Sequence, residues 1–342
     1  MQDGENKFTV VLSIPPGLEV AAVKTARREY DVRFDRLATG HINSKGGNAQ
    51  NAIKSLLENA PIWTFGSFIL VKRVRALDIE SIESVVTALA GTVEAFGWRD
   101  KAYWLDAKSE KVRGWASQFL HRDFGLRNDP TNYDLTLKVV NDAEATFILL
   151  GPSISVRQRF SYRNMDVVAS INPVLAAFLV RLLPQEAKGL AIDPTCGSGT
   201  LLFERLRYSD EVAGLGIDVN IDAEKAFKCN LNSIDLGRKT VDFWFGSSTN
   251  SGAWKPCSSV VCNLPFGIRI KLKSADLDLL YRGILMNAYQ YLEKEGRILM
   301  ISSYKRGLEK VADEMSDRVK VLSKYRCEMG GLFYQIFVLS RV

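Results

Sequence analysis

The sequence from residue 189 to its end alternates short apolar runs with segments of helical length. Strands are predicted at 190–193, 212–217, 241–245, 259–262 and 297–302, and helices at 200–207, 222–234 and 275–291. Strands that are connected through helices run parallel to one another in a sheet. The last two predicted strands, 320–327 and 332–340, are joined by a glycine turn and form an antiparallel hairpin. This half is therefore predicted to be α/β, a Rossmann-like doubly wound sheet with a C-terminal antiparallel hairpin.

The first half has short strands and helices without strict alternation. Strands are predicted at 8–14, 32–34, 67–74, 102–105, 133–140 and 145–150, and helices at 18–30, 51–57, 79–96 and 111–121. Residues 38–50 are rich in glycine and amide side chains and predict a loop. We expect an α+β domain over residues 1–154 and the Rossmann-like domain over residues 155–342.

Length and composition allow two buried cores, since the chain has 342 residues of which 46% are hydrophobic. The longest apolar stretches, such as 176–183, fall short of the ~20 residues that a membrane span needs. Acidic Asp3 and Glu5 come before the first apolar run, and Pro15-Pro16-Gly17 ends it, which does not fit a secretory signal. We therefore expect a protein of the cytosol or the nucleus.

Charge and metal-ligand content narrow the function further. The first 150 residues carry 19 basic and 19 acidic side chains, so the whole excess of +6 lies after them and suits a polyanionic partner. The five cysteines lack the paired spacing of a zinc site, and they predict small buried thiols in a reducing compartment. With only two histidines, neither of them near a cysteine, a metal centre or a Ser-His-Asp hydrolase is disfavoured.

The strongest chemical signal is a glycine-rich turn between a buried strand and a helix. It reads Asp193-Pro194-Thr195-Cys196-Gly197-Ser198-Gly199-Thr200, and Asp218-Val219 ends the next strand. Glycines at this position let the backbone approach a ligand, and a carboxylate after the second strand can accept both hydroxyls of a ribose. Together these residues predict a site for an adenosine-containing ligand, although a tight turn without a ligand is the alternative.

The identity of that ligand follows from what the turn lacks. It has neither the Gly-x-Gly-x-x-Gly of dinucleotide sites nor the Gly-x-x-x-x-Gly-Lys-Ser/Thr of triphosphate sites. Asp193 would repel a pyrophosphate, but it could pair with the α-amino group of a methionine moiety. S-adenosylmethionine has both a ribose for Asp218 and an α-amino group for Asp193, and it is the predicted cofactor.

A second motif, Asn263-Leu264-Pro265-Phe266-Gly267, directly follows a buried strand. The side-chain oxygen of Asn263 and the carbonyl of Leu264 could each accept one N–H of an exocyclic base amine, directing its lone pair at a methyl donor. Pro265 would restrict the direction of that carbonyl, and Phe266 offers a face on which a base can stack. Asn-x-Pro-Phe alone is also a plausible surface turn. Its position after the fourth strand favours methyl transfer to an amine.

These motifs resemble those of a known family. Residues 155–342 are similar to class I methyltransferases that act on amino groups, whose motif is (Asn/Asp)-Pro-Pro-(Phe/Tyr), although Leu264 replaces the first proline. With Phe266-Gly267 and the nearby Arg269 and Lys271, the segment resembles the THUMP-domain RNA guanine-N2 methyltransferases. The resemblance implies that Gly246-Ser247 lies beside the adenine, and that residues 160–172 and helix 173–183 cover the methionine end.

The first half resembles the same family at two places. Ile14-Pro15-Pro16-Gly17-Leu18-Glu19 is similar to the family's opening motif, and residues 112–135 resemble the end of a THUMP domain, preceded by a ferredoxin-like region. The basic side chains there could bind phosphates, with Trp115 and Phe119 interleaved, although a solvated helix face fits nearly as well. The predicted RNA-binding residues are Lys111, Arg113, Arg122, Arg127, Arg269 and Lys271.

The resemblance implies N2-methylation of a guanosine in RNA, most simply in the acceptor stem of tRNA, with S-adenosylmethionine as the methyl donor. Ribosomal or small nuclear RNA remain alternative substrates, and the N-terminal domain argues against DNA adenine methylation. A catalytically silent RNA-binding protein is the alternative of another class, disfavoured by the intact set of Asp193, Asp218 and Asn263. Some members of the family also need a small zinc-binding activator subunit.

Overall fold

The computed structural model describes residues 8–30, 32–45, 50–75, 79–107, 114, 119–153, 156–266, 274–303 and 307–342. The chain divides into two compact units, Met1–Ser155 and Val156–Val342. This division falls one residue after the boundary that the sequence predicts. None of the described helices is long and apolar enough to cross a membrane.

The N-terminal unit is built on one mixed sheet. Its strands are β1 Val10–Ser13, β2 Arg33–Ala38, β3 His41–Lys45, β4 Gly66–Val74, β5 Ala102–Asp106, β6 Arg127–Asn128, β7 Leu135–Asn141 and β8 Thr146–Pro152, and the helices are α1 Glu19–Glu29, α2 Gln50–Glu58 and α3 Ile79–Phe96. The order across the sheet is β2-β3-β1-β4-β8-β7-β5-β6. Strand β5 runs parallel to β6 and β7, and the remaining neighbours are antiparallel.

Helix α3 shows why this unit folds as it does. Its side chains Val85, Leu89 and Val93, spaced four apart, lie on one face and are buried in a core with Tyr103 and Leu137 of the sheet. An amphipathic helix over a sheet is the arrangement that the α+β pattern predicts.

One expectation for this unit is wrong. Residues 38–50 are predicted as a loop, yet His41–Lys45 form strand β3 between β1 and β2, with Val11 opposite Asn43 and Phe34 opposite Ser44. Polar residues adopt a strand here because the two neighbouring strands supply the hydrogen-bond partners, which outweighs the low strand preference of the segment itself. Residues 46–49 lie outside the described part of the chain.

The C-terminal unit is built on a second sheet. Its strands are β9 Leu190–Asp193, β10 Ala213–Asp218, β11 Thr240–Phe245, β12 Cys257–Asn263, β13 Leu292–Ser303, β14 Val319–Met329 and β15 Leu332–Arg341, and its helices are α4 Val156–Arg159, α5 Pro173–Leu179, α6 Thr200–Tyr208, α7 Ile221–Leu231, α8 Ser274–Tyr291 and α9 Leu308–Glu314. The order is β11-β10-β9-β12-β13-β15-β14. Strands β9 to β13 are parallel, and β15 is antiparallel to both β13 and β14. The predicted α/β sheet with an antiparallel C-terminal hairpin is confirmed.

The strand order creates a crevice at the centre of this sheet. From β9 the chain moves outwards through β10 to β11, and it then returns to place β12 on the other side of β9. Open α/β sheets bind ligands at such a switch point, beyond the carboxyl ends of the strands. The ends of β9, β10 and β12, namely Asp193, Asp218 and Asn263, therefore point to one location.

Candidate active site

The glycine-rich turn after β9 depends on backbone conformations that other residues rarely adopt. Gly197 and Gly199 have positive φ values of 50° and 84°. A Cβ atom on Gly199 would lie 2.5 Å from the ring of Phe203, so the turn packs directly against helix α6. These two glycines form the turn as the sequence predicts, but Gly199 is not among the residues that line the cavity described below.

Asp218 ties this turn to the end of the neighbouring strand. Its Oδ2 accepts a hydrogen bond from the backbone N–H of Gly197 at 2.9 Å, and its Oδ1 accepts one from Asn220 at 2.9 Å. A carboxylate can accept about four hydrogen bonds, so this arrangement leaves capacity for further donors.

Asp193 is a buried acid at the base of the turn. Its side chain accepts a hydrogen bond from the backbone N–H of Thr195 at 3.1 Å. Burial raises the pKa of the Asp193 carboxyl to about 8; the Thr195 N–H opposes this rise and the nearby Asp218 charge adds to it. A cationic group beside Asp193 would offset the cost of its charge, so the site favours a ligand with an ammonium group at this point.

The segment after β12 is held by contacts on several sides. The backbone carbonyl of Asn263 accepts from Thr195 Oγ1 at 3.1 Å, and the N–H of Leu264 donates to Ile301 at 3.0 Å. The hydroxyl of Tyr281 in α8 donates to the carbonyl of Pro265 at 2.7 Å. These contacts fix the direction of the backbone around Leu264.

The two ends of the Asn263 amide have different surroundings. Its Nδ2 donates to the backbone carbonyl of Ala169 at 3.2 Å. Its Oδ1 is buried and accepts no hydrogen bond from the described residues. A buried acceptor without a donor is costly, and at a functional site it indicates where a ligand donor belongs.

Asp193, Asp218 and Asn263 line one cavity of about 330 Å³, within the range usual for small-molecule sites. Every predicted catalytic residue lines it: Asn263, Leu264, Pro265 and Phe266. The predicted cofactor residues that line it are Asp193, Pro194, Thr195, Cys196, Gly197, Thr200, Asp218, Val219, Gly246, Ser247 and Asn263. The structure thus gathers the chemical motifs of the second half in one place.

Further lining residues are absent from the predicted site. They are Val167, Val168, Ala169, Ser170, Ile171, Ser198, Leu201, Asn220, Ala223, Ser248 and Leu280. The group 167–171 falls within the segment that the family resemblance assigns to the methionine end. The sequence offers no other signal for it, because the segment lacks regular secondary structure and an obvious motif.

The aromatic face expected for base stacking is also present. The Phe266 ring lies 5.6 Å from that of Tyr334 in β15, in an edge-to-face arrangement. Phe266 is half-buried, so part of its surface stays accessible at the cavity.

The predicted RNA-binding residues are only partly described. Lys111, Arg113, Arg269 and Lys271 lie outside the described residues. Arg122 forms an ion pair with Asp123 at 2.7 Å, and its guanidinium lies over the Phe119 ring. The neighbouring carboxylate offsets the positive charge that Arg122 could present to a phosphate. Arg127 is exposed in β6. Of the six residues, the structure describes only Arg122 and Arg127, so an RNA-binding surface formed by all six stays a prediction.

The cysteines are mostly internal. Cys196, Cys257, Cys262 and Cys327 are buried, and Cys229 is half-buried. Burial raises the pKa of the Cys196 and Cys262 thiols well above the usual range, so both remain protonated and are poor nucleophiles. Cys196 lines the cavity and Cys262 lies beside it, and both contribute to packing.

The sheet order, the glycine turn after its first strand, the carboxylate after its second and Asn-x-Pro-Phe after its fourth define a class I methyltransferase fold. Residues 161–242 and 253–335 match the UPF0020 family, the RMKL-like methyltransferase domain. The C-terminal unit of this chain belongs to that family of methyltransferase domains.

The chain is also similar to individual proteins of known description. It is 26% identical over 177 residues to the tRNA (guanine(10)-N2)-dimethyltransferase of Methanothermobacter thermautotrophicus, a match that covers 51% of this chain and 50% of that protein. The chain thus matches about half the length of this curated relative.

Solved structures share the fold over nearly the whole chain. TrmN from Thermus thermophilus has a TM-score of 0.71 at 18% identity, covering 98% of this chain and 100% of that one. SMU.472, solved with bound SAH, has a TM-score of 0.69 at 16% identity, covering 97% of each chain. At such identities the likeness concerns the fold.

Proposed function

We propose that this protein transfers a methyl group from S-adenosylmethionine to the exocyclic N2 amine of a guanosine in RNA, and that its substrate is tRNA. The observation that carries the proposal is the buried Oδ1 of Asn263, which lacks a donor among the described residues and lines the same cavity as Asp193 and Asp218. The description of the Methanothermobacter thermautotrophicus relative as a tRNA guanine-N2 enzyme supports the choice of base and of RNA.

The residues of the cavity fit S-adenosylmethionine. Buried Asp193 would pair with the α-ammonium group of the methionine moiety, and Asp218 would accept the ribose hydroxyls. Gly246 and Ser247, which line the same cavity, would lie beside the adenine. When bound, the cofactor supplies a methyl group on a positively charged sulfur.

The chain's own residues would orient the accepting amine. Oδ1 of Asn263 accepts one N–H of the guanine amine, and the carbonyl of Leu264 accepts the other, which directs the nitrogen lone pair. Phe266 stacks on the base, a contact worth ~1–3 kcal/mol. Orientation and proximity supply much of the rate, and the proton can leave after transfer, so the proposal requires no general base.

The N-terminal unit would bind the RNA outside the reacting base. Arg127 is an exposed candidate for phosphate contact, and Lys111, Arg113 and Arg122 are the others in this unit. Arg269 and Lys271 are the candidates in the C-terminal unit. A tRNA substrate would also suit a protein of the cytoplasm or the nucleus.

A small zinc-binding activator subunit belongs to the same proposal. Strand β11 is the outermost strand of its sheet and leaves the Trp244 and Phe245 side chains about half exposed, at 45% and 54%. An outer strand with exposed apolar side chains suits the addition of a partner strand. Copurification with such a subunit, and its loss on Trp244→Lys, would test this.

Mass spectrometry of nucleosides tests the main proposal. After unfractionated tRNA is incubated with the protein and S-adenosylmethionine, we expect N2-methylguanosine, and dimethylguanosine where a second transfer occurs. Asn263→Ala should abolish the product while the affinity for S-adenosylhomocysteine changes less than threefold. N6-methyladenosine as the product, or full activity of Asn263→Ala, would overturn the proposal.

The same assay decides between the alternatives. N2-methylguanosine on ribosomal or small nuclear RNA, but none on tRNA, would identify a different RNA as the substrate of the same reaction. RNA binding without transfer to any of the three, with no affinity for S-adenosylhomocysteine, would indicate a catalytically silent RNA-binding protein.

A further inference from the structure

Asn263 lies opposite a backbone carbonyl that its own strand does not supply. Nδ2 donates to the carbonyl of Ala169 at 3.2 Å, across 94 residues of sequence, and both residues line the cavity. A backbone carbonyl only accepts hydrogen bonds, so the amide must turn its nitrogen to Ala169 and its oxygen away. The contact therefore selects one of the two orientations of the side chain.

The carbonyl of Ala169 belongs to a tight turn over residues 167–170. The N–H of Ser170 donates to the carbonyl of Val167 at 3.1 Å, and Ala169 has a φ of 69°. Positive φ at the third residue of a turn is typical of glycine or asparagine, and an alanine there is strained. Backbone strain of this kind persists where the surrounding contacts impose it.

Ser170 supplies those contacts. Its N–H closes the turn, and its hydroxyl contacts the N–H and carbonyl of Val167 at 3.0 and 2.9 Å and Ser198 Oγ at 3.2 Å. Ser198 lies in the glycine-rich turn after β9. The turn 167–170 is thus hydrogen-bonded to the segment that would bind the cofactor. The Ala169 carbonyl therefore has a defined position relative to that segment and to Asn263.

We propose that the Ala169 carbonyl is the positioning group for Asn263, that it turns Oδ1 towards the amine to be methylated, and that it requires asparagine rather than aspartate at residue 263 of this chain. The inference rests on the proposed methyl transfer. Ionised aspartate offers two acceptors and no donor, so it would place a carboxylate oxygen against the carbonyl oxygen of Ala169. Accepting an N–H of the amine alone would not distinguish the two side chains, because both carry an acceptor oxygen.

The first test replaces Asn263 by aspartate. With unfractionated tRNA and radiolabelled S-adenosylmethionine, Asn263→Asp should lower kcat at least about 30-fold, with the KM for the cofactor within threefold. Asn250→Asp is the matched control: Asn250 is an exposed cap whose Oδ1 accepts from Gly252, a role that aspartate also performs. An Asn263→Asp enzyme as active as the Asn250→Asp enzyme would overturn the proposal.

The second test changes the turn and leaves Asn263 intact. Valine disfavours positive φ, whereas glycine adopts it readily. We expect Ala169→Val to lower kcat at least tenfold with little change in the KM for the cofactor, and Ala169→Gly to lower it less than threefold. Equal kcat for the two variants, or a change confined to the KM, would contradict the positioning role.

A measurement without catalysis separates this inference from the proposed function. The Asn263 side-chain amide proton that bonds to Ala169, assigned by its absence in Asn263→Asp, should exchange slowly with water in the native protein and faster in Ala169→Val. If the native enzyme methylates no RNA, the proposed function fails while this measurement still decides the contact. Fast exchange in the native protein would sink the inference, even in an active enzyme.

Discussion

The carboxylate of Asp218 accepts a hydrogen bond from the backbone N–H of Gly197 at 2.9 Å, which links the end of β10 to the glycine-rich turn after β9. Asp218 therefore shapes the turn as well as facing the cavity. Its loss should affect both the position of the turn and the affinity for a ligand.

Asp218→Ala is expected to weaken binding of S-adenosylhomocysteine about 10- to 100-fold, since hydrogen bonds to a charged group contribute ~1.5–3 kcal/mol. Titration calorimetry measures the change. Asp222→Ala is the control, because Asp222 is exposed and lies outside the cavity lining. Equal affinities of the two variants would show that Asp218 does not contact the ligand.

Gly199→Ala should lower the free energy of unfolding by ~2–5 kcal/mol, because the new Cβ would combine an unfavourable φ with a 2.5 Å approach to Phe203. Gly237→Ala provides a matched comparison: it has a φ of 62° but nothing within 4 Å of the added atom. Chemical denaturation should show a smaller loss for Gly237→Ala. Equal losses of unfolding free energy in the two variants would show that the contact with Phe203 does not contribute to the effect.

Asp193 should make ligand binding release a proton. In the ligand-free protein its pKa is about 8, so at pH 7 the carboxyl is mostly protonated, and pairing with an ammonium group favours its ionised form. The affinity for S-adenosylhomocysteine should therefore rise between pH 6 and pH 8. Calorimetry in buffers of different ionisation enthalpy counts the proton, and Asp193→Asn should abolish its release.

The same carboxyl makes the stability of the ligand-free protein depend on pH. Because its pKa is raised on folding, from 3.8 to about 8, the folded state binds the extra proton between these values. This contribution to the free energy of unfolding is present below pH 4 and is lost as the pH rises through 8. Thermal denaturation of Asp193→Asn should show a higher melting temperature than the native protein at pH 9, and a lower one would contradict the assignment.

His41 should make the N-terminal unit sensitive to acid. Burial is the main reason that its pKa is lowered to about 4; Lys138 also lowers it, while the Thr39 carbonyl, Glu19 and Asp106 oppose the shift. The unfolded chain binds the proton first, so about 3 kcal/mol of stability present above pH 6.5 is lost as the pH falls towards 4. Hydrogen exchange of β1 and β3 should report this loss, and His41→Gln should reduce it.

Much of the C-terminal unit could be predicted because its signals are local. Strand β9 is predicted with its observed bounds, and the hairpin of β14 and β15 follows from the glycines between two apolar runs. Helix α9, Leu308–Glu314, is not predicted, because its seven residues show only Leu308, Val311 and Ala312 as buried positions. So short a segment gives too little periodicity to distinguish it from a loop.

In the candidate site, too, some residues can be predicted from local sequence and others cannot. The residues at the ends of β9, β10 and β12 have recognisable chemistry, and they meet because parallel strands end at one edge of the sheet. Ala169 and Ser170 carry no such signal. Neither does β3, whose polar residues form a strand only because β1 and β2 lie on either side of it.

The alternation of strands and helices, the glycine-rich turn, the acids that end β9 and β10, and Asn263 with Pro265 and Phe266 are all evident from the sequence. These depend on residue type and spacing among near neighbours. Only the tertiary structure decided which carbonyl meets Nδ2 of Asn263, because Ala169 precedes it by 94 residues and reaches it only through the crossing of the chain over the sheet. Contacts between distant segments depend on the packing of the whole domain, which no local pattern contains.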